Sequence, residues 1–191
     1  KIIIQPDTLI TDYIGIGGIG AAFFNSGLLS LIFIFILYKL KLKINGASIA
    51  SIFLIAGFSL FGKNLFNVWF IIIGVYIYSR VQNDKFSKYI YIAFFGTAMA
   101  PIVTEIIFST VLNKFISIPL GIMIGICIGF ILPPLSSFLL NVHQGFNLYN
   151  IGFASGIIGT IFVSIFKSYG FIPTPRFIWT IGNNKLFCIY L

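Results

Sequence analysis

Residues 12–27 read DYIGIGGIGAAFFNSG, in which Gly15, Gly17 and Gly20 have the spacing G-x-G-x-x-G. In a soluble protein these glycines let the backbone approach the pyrophosphate of a dinucleotide. Such a site also needs an amphipathic helix after the glycines and an acidic residue about 20 positions later. The following AAFFNSGLLSLIFIFIL is apolar on every face, and no acidic residue follows at that distance. We therefore expect Gly17 and Gly20 to weaken the start of a helix and to line a solute path.

Glu105 is the one glutamate of the chain and lies inside an apolar run. It follows Pro101 in GTAMAPIVTEIIF, about one turn beyond the kink that this proline predicts. A carboxylate at membrane depth is costly and usually faces a cavity or a partner. The alternative is an interfacial Glu105 at the end of a shorter span over 89–104, and both interpretations stay open at this point.

His143 is the only histidine and follows the pair Pro133-Pro134 in the stretch LLNVHQGFNLYN. It is either a loop histidine at the membrane surface or part of a polar cluster at the mouth of a helix. The other members of that cluster would be Asn141, Gln144, Asn147 and Asn150. Helix starts rich in amides suit an uncharged hydrogen-bonding solute, or a carboxylate at the positive end of the helix.

Ser155 in GFASG is the candidate for a serine nucleophile within the membrane. The only histidine, His143, precedes it by twelve positions, which is about 18 Å along one helix. The acidic residues and the histidine also lack metal-ligand spacing. We therefore expect no enzyme, no metal and no cofactor, and keep Ser155 as a residue that lines a path.

The composition decides what kind of elements must position these side chains. The 191 residues are 59% hydrophobic and 8% charged, whereas soluble globular proteins average about 25% charged residues. So few charges cannot cover a soluble domain, and lipid must cover the remaining surface. The basic residues, which give a net charge of +8, stand at the ends of apolar runs. This placement predicts membrane lipid as a partner and excludes nucleic acid.

The apolar runs between charged residues predict about six transmembrane or partly re-entrant helices. These runs are 13–38, 44–62, 64–79, 89–113, 115–142 and 145–166. The third run is short for a crossing, the pair Pro133-Pro134 is expected to break the fifth, and 167–185 reads as a loop. The predicted fold class is an all-α membrane protein with a single membrane-embedded domain over 1–191.

The basic residues also predict an orientation. If each run crosses once, one side receives Lys39, Lys41, Lys43, Arg80, Lys85 and Lys88, and the other receives Lys63, Lys114 and Lys167. The excess on the first side predicts that this side is cytoplasmic. We therefore expect a multi-pass membrane protein with this side inside the cell.

Small residues recur at helical spacing in the later runs. Gly121, Gly125 and Gly129 are four positions apart, as are Gly152 and Gly156. This spacing favours close packing of helix backbones, with a narrow path walled by backbone as the alternative.

A faint internal repeat is also visible. FNSGLLSLIF (24–33) aligns with FASGIIGTIF (153–162) at an offset of 129, which predicts repeat units that start near 12 and 141. Transporters are often built from such repeats, with a paired site near the midplane, and Asn25 and Ser155 are the polar candidates here. Because the second unit would be incomplete, we expect the chain to be a fragment of a longer protein.

A family resemblance is carried by TDYIGIGGIGAAFFNSGLL, KLKINGASIASIFLIAGFSLFGKN, GFILPPLSSFLLNVHQGFNLYNIGFASGIIGTIF and TPRFIWTIGNN. These stretches resemble a bacterial family of polytopic membrane proteins known as domain of unknown function 1576. The resemblance covers nearly the whole chain and implies membrane embedding, but it assigns no activity and no catalytic residue. QGFNLYNIGFASG is also similar to the half-helices of urea-transporter-type channels, whose defining signature is absent.

The leading hypothesis from the sequence is a transporter or channel for a small solute. The alternatives are a membrane scaffold or partner subunit without transport and, last, an intramembrane enzyme. Association with further copies of the chain stays open. The residues predicted to line the path are Gly17, Gly20, Asn25, Glu105, His143, Asn147, Asn150 and Ser155.

Overall fold

The computed structural model describes residues 1–7, 11–108, 112–171 and 180–190, and these form helices and turns without a strand. The α-helices are α1 (Tyr13–Gly17), α2 (Ile19–Lys39), α3 (Gly46–Phe58), α4 (Val68–Val81), α5 (Ile90–Gly96), α6 (Ala100–Phe108), α7 (Lys114–His143), α8 (Asn150–Ser168) and α9 (Asn184–Tyr190). The predicted all-α membrane class is confirmed. Of the expected loop over 167–185, residues 172–179 lie outside the described residues.

Four helical segments are long and apolar enough to cross a membrane: Ile19–Lys39, Ile90–Phe108, Lys114–His143 and Asn150–Ser168. Helices α3 and α4 are also apolar but contain 13 and 14 residues. Each is about 20 Å long, which is less than the ~30 Å of a hydrocarbon core. All six predicted runs therefore form helices, and four of them have spanning length.

The second span is interrupted as its proline predicts. Residues Thr97–Met99 form a single 3-10 turn between α5 and α6, just before Pro101. The Thr97 hydroxyl donates to the Phe94 carbonyl at 2.7 Å and supports the turn. Helix α6 then runs on to Phe108, so Glu105 lies inside the helix, in its last turn, and both interpretations of this residue stay predictions.

The break expected at Pro133-Pro134 in the fifth apolar run is wrong. Helix α7 is continuous from Lys114 to His143 and contains three prolines. Membrane helices tolerate proline where other groups satisfy the freed backbone. The carbonyls that Pro133 and Pro134 leave without a helical donor are those of Gly129 and Phe130. Gly129 lies where α7 packs closely against Ile71 and Gly74 of α4. The helix therefore continues through the proline pair within a tightly packed contact.

Glycines set the distance between α7 and its neighbours. A Cβ on Gly129 would overlap the carbonyl oxygen of Ile71, and one on Gly74 would overlap that of Ile126. A Cβ on Gly125 would lie 2.7 Å from Val103 and 2.8 Å from Phe70. The prediction of close helix packing is confirmed for these α7 glycines, and likewise for Gly121. Gly156, in contrast, faces open space.

Helices α3 and α4 form a hairpin that starts and ends at one end of the bundle. We call this the basic end; it carries Lys39, Lys41, Lys43, Arg80, Lys85 and Lys88. Helix α3 runs antiparallel to α2, and the Ser26 hydroxyl donates to the Ala56 carbonyl at 2.7 Å. The connection over 59–67, the polar turn, lies at the opposite end of the hairpin. Lys63 in this turn is 2% exposed and lies at the end opposite the basic end, as its predicted side requires.

Candidate functional site

The polar turn reads SLFGKNLFN and is built by two asparagines that bond to each other's backbone. The Asn64 backbone donates to Asn67 Oδ1 at 2.9 Å, and the Asn67 backbone donates to Asn64 Oδ1 at 3.0 Å. Both asparagines are fully buried. Side-chain oxygens that accept from nearby backbone N–H groups favour turns over helix. The turn therefore ends α3 and leads into α4 without exposing its polar groups.

The amino-terminal segment, of which residues 1–7 and 11–17 are described, covers this turn. The backbone of Tyr13 donates to the Leu60 carbonyl at 3.3 Å, and Asn64 Nδ2 donates to the Tyr13 hydroxyl at 3.2 Å. Gly18 separates α1 from α2 with φ +84°, a conformation that favours glycine. The predicted weakening of the glycine-rich helix start is confirmed, and it lets α1 lie against the turn.

Asp7 is the acidic centre of the buried contacts between this segment and the helices. Its carboxyl Oδ2 accepts from Thr104 at 2.7 Å, from Tyr13 at 3.2 Å and from Asn67 at 3.4 Å. Its Oδ1 is also buried but has no hydrogen-bond partner among the described residues. Asp7 is 3% exposed. A carboxylate so enclosed is expensive to keep charged.

The environment of Asp7 changes its protonation. Burial raises the pKa of its carboxyl to about 7, and the nearby Glu105 charge acts in the same direction. Hydrogen bonds from Thr104 and Tyr13 lower the pKa but do not offset burial. Asp7 lies before the first spanning helix. Its carboxyl can therefore gain or lose a proton near neutral pH.

Lys63 places a buried amine in the same turn. Its Nζ lies 4.9 Å from the ring centroid of Phe58, a cation–π distance. Within the described part of the chain, Lys63 forms no ion pair with a carboxylate; the ion pair found there joins Lys88 to Asp84 at the surface. Burial lowers the pKa of Lys63 to about 7. The turn therefore holds an amine that is easily made neutral.

Three of the predicted path residues lie around the polar turn. Asn25 is buried and its Nδ2 donates to the carbonyls of Ser59 at 2.7 Å and Lys63 at 2.8 Å. Gly17 lies against the amino-terminal segment, since a Cβ there would be 3.1 Å from Ile2. Glu105 is half-buried and lies close enough to influence Asp7. Gly20 is exposed, and a Cβ there would meet nothing within 4 Å.

The other predicted path residues lie at the α7–α8 corner. His143 Nδ1 accepts from the backbone N–H groups of Gly145 and Asn147, and its Nε2 contacts Asn150 Oδ1 at 2.9 Å. These contacts fit a neutral imidazole with its proton on Nε2. Of the predicted polar cluster, the side chains of His143 and Asn150 meet, Asn147 joins them through its backbone N–H, and Asn141 and Gln144 are exposed. Asn150 Nδ2 also donates to the Ser136 carbonyl at 2.8 Å, so the corner is tied into α7.

Ser155 lies in the second turn of α8 and is 5% exposed. Its hydroxyl has no hydrogen-bond partner among the described residues. His143 holds Asn150 instead, so no serine–histidine pair is formed there. The arrangement of these three side chains lacks the base contact that a serine nucleophile needs.

The two groups of predicted residues belong to opposite ends of the bundle. Ser117, near the start of α7, donates to the Ile107 carbonyl of α6 at 3.0 Å, close to Thr104. His143 ends the same helix, 26 residues later and therefore about 39 Å along its axis. The structure therefore brings the predicted residues together in two separate networks.

The repeat shows the same exposure pattern in both copies but different contacts. Phe24 and Phe153 are exposed, and Leu29 and Ile158 are buried. The position of Asn25, which holds the polar turn, corresponds to Ala154 in the second copy. The repeat units therefore stay a prediction.

Sequence reasoning missed most residues of the buried cluster: Asp7, Tyr13, Lys63, Asn64, Asn67 and Thr104. A signal for the turn exists, because Lys63 divides two apolar runs of which the second is too short to cross. Nothing near Asp7 in the sequence signals its burial, since the residue with the shortest hydrogen bond to it, Thr104, is 97 positions away in the chain.

A family model described as Protein of unknown function (DUF1576) matches residues 1–168. The family resemblance predicted from the sequence motifs is confirmed over that range. No curated protein and no solved structure matches the chain.

Proposed function

The chain belongs to the family described as Protein of unknown function (DUF1576), and on that premise we propose that it is a transporter or channel for a small solute. The description assigns no activity, so the proposal draws on the chain's own geometry. The carrying observation is the polar turn, where a buried amine and a buried carboxyl meet the tip of a short helical hairpin.

The hairpin supports transport because of its dimensions. Helices α3 and α4 are too short to cross a hydrocarbon core, and the backbone between them is not helical. Irregular backbone at membrane depth is tolerated where protein buries it or where it lines a cavity. Interrupted helices of this kind form the solute and ion sites of many transporters.

The ionisable groups support the same function. A buried amine and a buried carboxyl that do not pair with each other destabilise a fold. Within membrane proteins such groups usually mark solute or ion pathways. Lys63 and Asp7 meet this description, and Glu105 adds a second carboxyl beside Asp7.

The proposed location is a bacterial inner membrane, crossed several times. With Lys63 buried, the end opposite the basic end retains Lys114 and Lys167 of the three residues counted from the sequence. This excess of basic residues at the basic end supports a cytoplasmic position for that end. The polar turn would then open toward the outside.

A scaffold or partner subunit without transport is the second candidate. The close glycine contacts of α7 with α4 and α6 give a rigid bundle that would serve a structural role equally well. The two functions differ in what the buried charges do, because a scaffold gains nothing from an unpaired lysine in its interior.

Solute flux across reconstituted vesicles tests the proposal. Purified protein is placed in proteoliposomes, and uptake of urea, glycerol and glycine is followed, with protein-free vesicles as the blank. We expect uptake of at least one probe above the blank. Lys63→Met and Glu105→Gln are expected to lower it about tenfold, or ~1.4 kcal/mol. Lys114→Met is the matched control, because Lys114 is exposed.

Two results would remove support for transport. One is wild-type uptake equal to the blank for every probe. The other is uptake that Lys63→Met and Glu105→Gln leave at the wild-type rate. An activity lost in Ser155→Ala but retained in Lys63→Met would instead favour an enzyme at the α7–α8 corner.

A further inference from the structure

We propose that the Asp7 carboxyl group binds one monovalent cation, a proton or Na⁺, between the polar turn and α6. The two carboxyl oxygens of Asp7 differ in their hydrogen-bond partners. Oδ2 accepts three hydrogen bonds, whereas Oδ1 is buried and accepts none from the described residues. A buried carboxylate oxygen without a donor costs free energy. A proton on Oδ1 removes the buried charge, and a sodium ion against Oδ1 supplies the missing contact.

The neighbours of Asp7 favour a cation over an anion. The titratable groups facing it are the phenol of Tyr13 from α1 and the carboxyl of Glu105 from α6. Lys63 belongs to the polar turn but makes no ion pair with Asp7 in the described part of the chain. Thr104 adds a hydroxyl oxygen, an oxygen ligand of the type that hard cations prefer. Among the described residues, no basic side chain makes an ion pair with Asp7 itself.

The protonation state of Asp7 fits the same assignment. Burial and the Glu105 charge raise the pKa of this carboxyl to about 7, whereas Asp84 at the surface has a lowered pKa because it accepts hydrogen bonds from Lys88 and Tyr89. A proton is therefore exchanged at Asp7 within the physiological range, while Asp84 stays ionised.

Cation occupancy would act on the closure of the turn. Asp7 lies in the amino-terminal segment, and Asn67 and Thr104 join its carboxyl to the turn and to α6. A cation that neutralises the carboxyl strengthens this closure, and its release weakens it. The coupling of the cation to solute movement rests on the proposed function, whereas the binding itself does not.

Thermal unfolding of the purified protein in detergent micelles tests the binding. One series lowers the pH from about 8.5 to about 5.5 in choline chloride, across the Asp7 pKa. Lys63 titrates in the same range with the opposite effect on stability. Every protein of this experiment therefore carries Lys63→Met, and the variant with Asp7 intact takes the place of the wild type. The other series replaces choline chloride by NaCl at pH about 8.5 and constant ionic strength. We expect the melting temperature to rise by about 4 °C or more in one of the two series. The pH response identifies a proton, and the sodium response identifies Na⁺.

Asp7→Asn is expected to abolish whichever response the wild type shows. Asp84→Asn, which alters an exposed carboxylate, is the matched control and should retain it. Thr104→Val provides a second variant in case Asp7→Asn fails to fold. Loss of its 2.7 Å donor should move the proton midpoint to higher pH, or weaken the sodium response.

A wild type that responds to neither cation overturns the proposal. A full response in Asp7→Asn overturns it too, as does an unshifted midpoint in Thr104→Val. Because these measurements report binding in micelles, their failure is distinct from failure of the flux experiment. An intact cation response without flux would leave the site and remove the transporter.

Discussion

The hydroxyl of Thr104 donates a hydrogen bond of 2.7 Å to the carboxyl group of Asp7, 97 positions earlier in the chain. Both side chains are buried, and the bond joins the amino-terminal segment to the last turns of α6. A buried polar group that loses its partner costs about 1–3 kcal/mol. The closure of the polar turn therefore depends on a few polar contacts of long sequence separation.

Removing that hydroxyl should release the amino-terminal segment before the rest of the protein. We expect Thr104→Val to increase hydrogen exchange at backbone amides of residues 11–17, while the amides of α7 stay protected. Thr104→Ser keeps the hydroxyl and should exchange like the wild type. Equal protection of residues 11–17 in Thr104→Val and the wild type would contradict the role given to this bond.

Lys63 should destabilise the fold at and below neutral pH. Its pKa is lowered by burial from 10.5 to about 7, so its stabilising neutral form is fully present above about 10.5 and is lost as the pH falls through about 7. We expect Lys63→Met to melt at a higher temperature than the wild type at pH about 6.5, because its unfolding free energy is larger by at most ~5 kcal/mol. The melting temperatures of the two proteins should converge near pH about 10. Asp7 acts with the opposite sign, since its raised pKa gives stability at low pH that is lost as the pH rises through about 7.

Lys114→Met is the control for this measurement because Lys114 is exposed, and its melting curve should follow that of the wild type at each pH. A Lys63→Met protein with the pH dependence of the wild type would show that Lys63 is charged and satisfied in the fold. A Lys63→Met protein that is more stable than the wild type but slower in flux would show that Lys63 lowers stability and is needed for transport.

Asn25 should hold the polar turn against α2. Its Nδ2 donates to the Ser59 and Lys63 carbonyls at 2.7 and 2.8 Å, so Asn25→Ala leaves two buried acceptors without this donor. We expect a loss of about 2–4 kcal/mol in unfolding free energy, measured by denaturant titration in mixed micelles. Ser26→Ala on the same helix removes one hydrogen bond, to Ala56, and should cost about 1 kcal/mol. Equal effects of the two variants would argue against a special role for Asn25.

The sequence predicts the class and the helices of this protein well, for physical reasons. Charged residues cannot stay in lipid, so the runs between them mark the six apolar helices. Glycine spacing predicts the contacts of α7 because a Cβ at those positions would meet a neighbouring helix. Both signals are local in the sequence, so they can be detected without knowing which segments pack against each other.

The errors arise where tertiary contacts override a local rule. Pro133 predicts a break, but α7 continues through it, and just before it Gly129 packs against Ile71 and Gly74 of α4. Lys63 divides two apolar runs, but their hydrophobicity does not predict that its side chain is 2% exposed and lies against the Phe58 ring. The candidate site around Asp7 depends on contacts across most of the chain, and hydrophobic periodicity carries no information about such contacts.

The crossing of α4 and α7 should be intolerant of any side chain. Gly129→Ala would place a Cβ against the Ile71 carbonyl, where backbone and not a flexible side chain must move. We expect a loss of several kcal/mol, of the order of about 3, read as poor recovery of folded protein in micelles. Gly156→Ala is the matched control, since nothing lies within 4 Å of its Cβ, and it should be neutral or stabilising by up to ~1 kcal/mol. A well-folded Gly129→Ala protein would show that the two helices are farther apart in the membrane.

The two ends of the bundle should face opposite sides of the membrane, with the basic end inside. Cysteines introduced singly at Lys85 and Lys114, both exposed, report on the two ends once Cys127 and Cys188 have been replaced by serine. In intact bacterial cells a membrane-impermeant maleimide should label Lys114→Cys, whereas Lys85→Cys should be labelled only after the membrane is opened. This result follows from the excess of basic residues at the end that carries Lys85. Labelling of both positions in intact cells, or of Lys85→Cys alone, would reverse or refute the proposed orientation, and with it the outward opening of the polar turn.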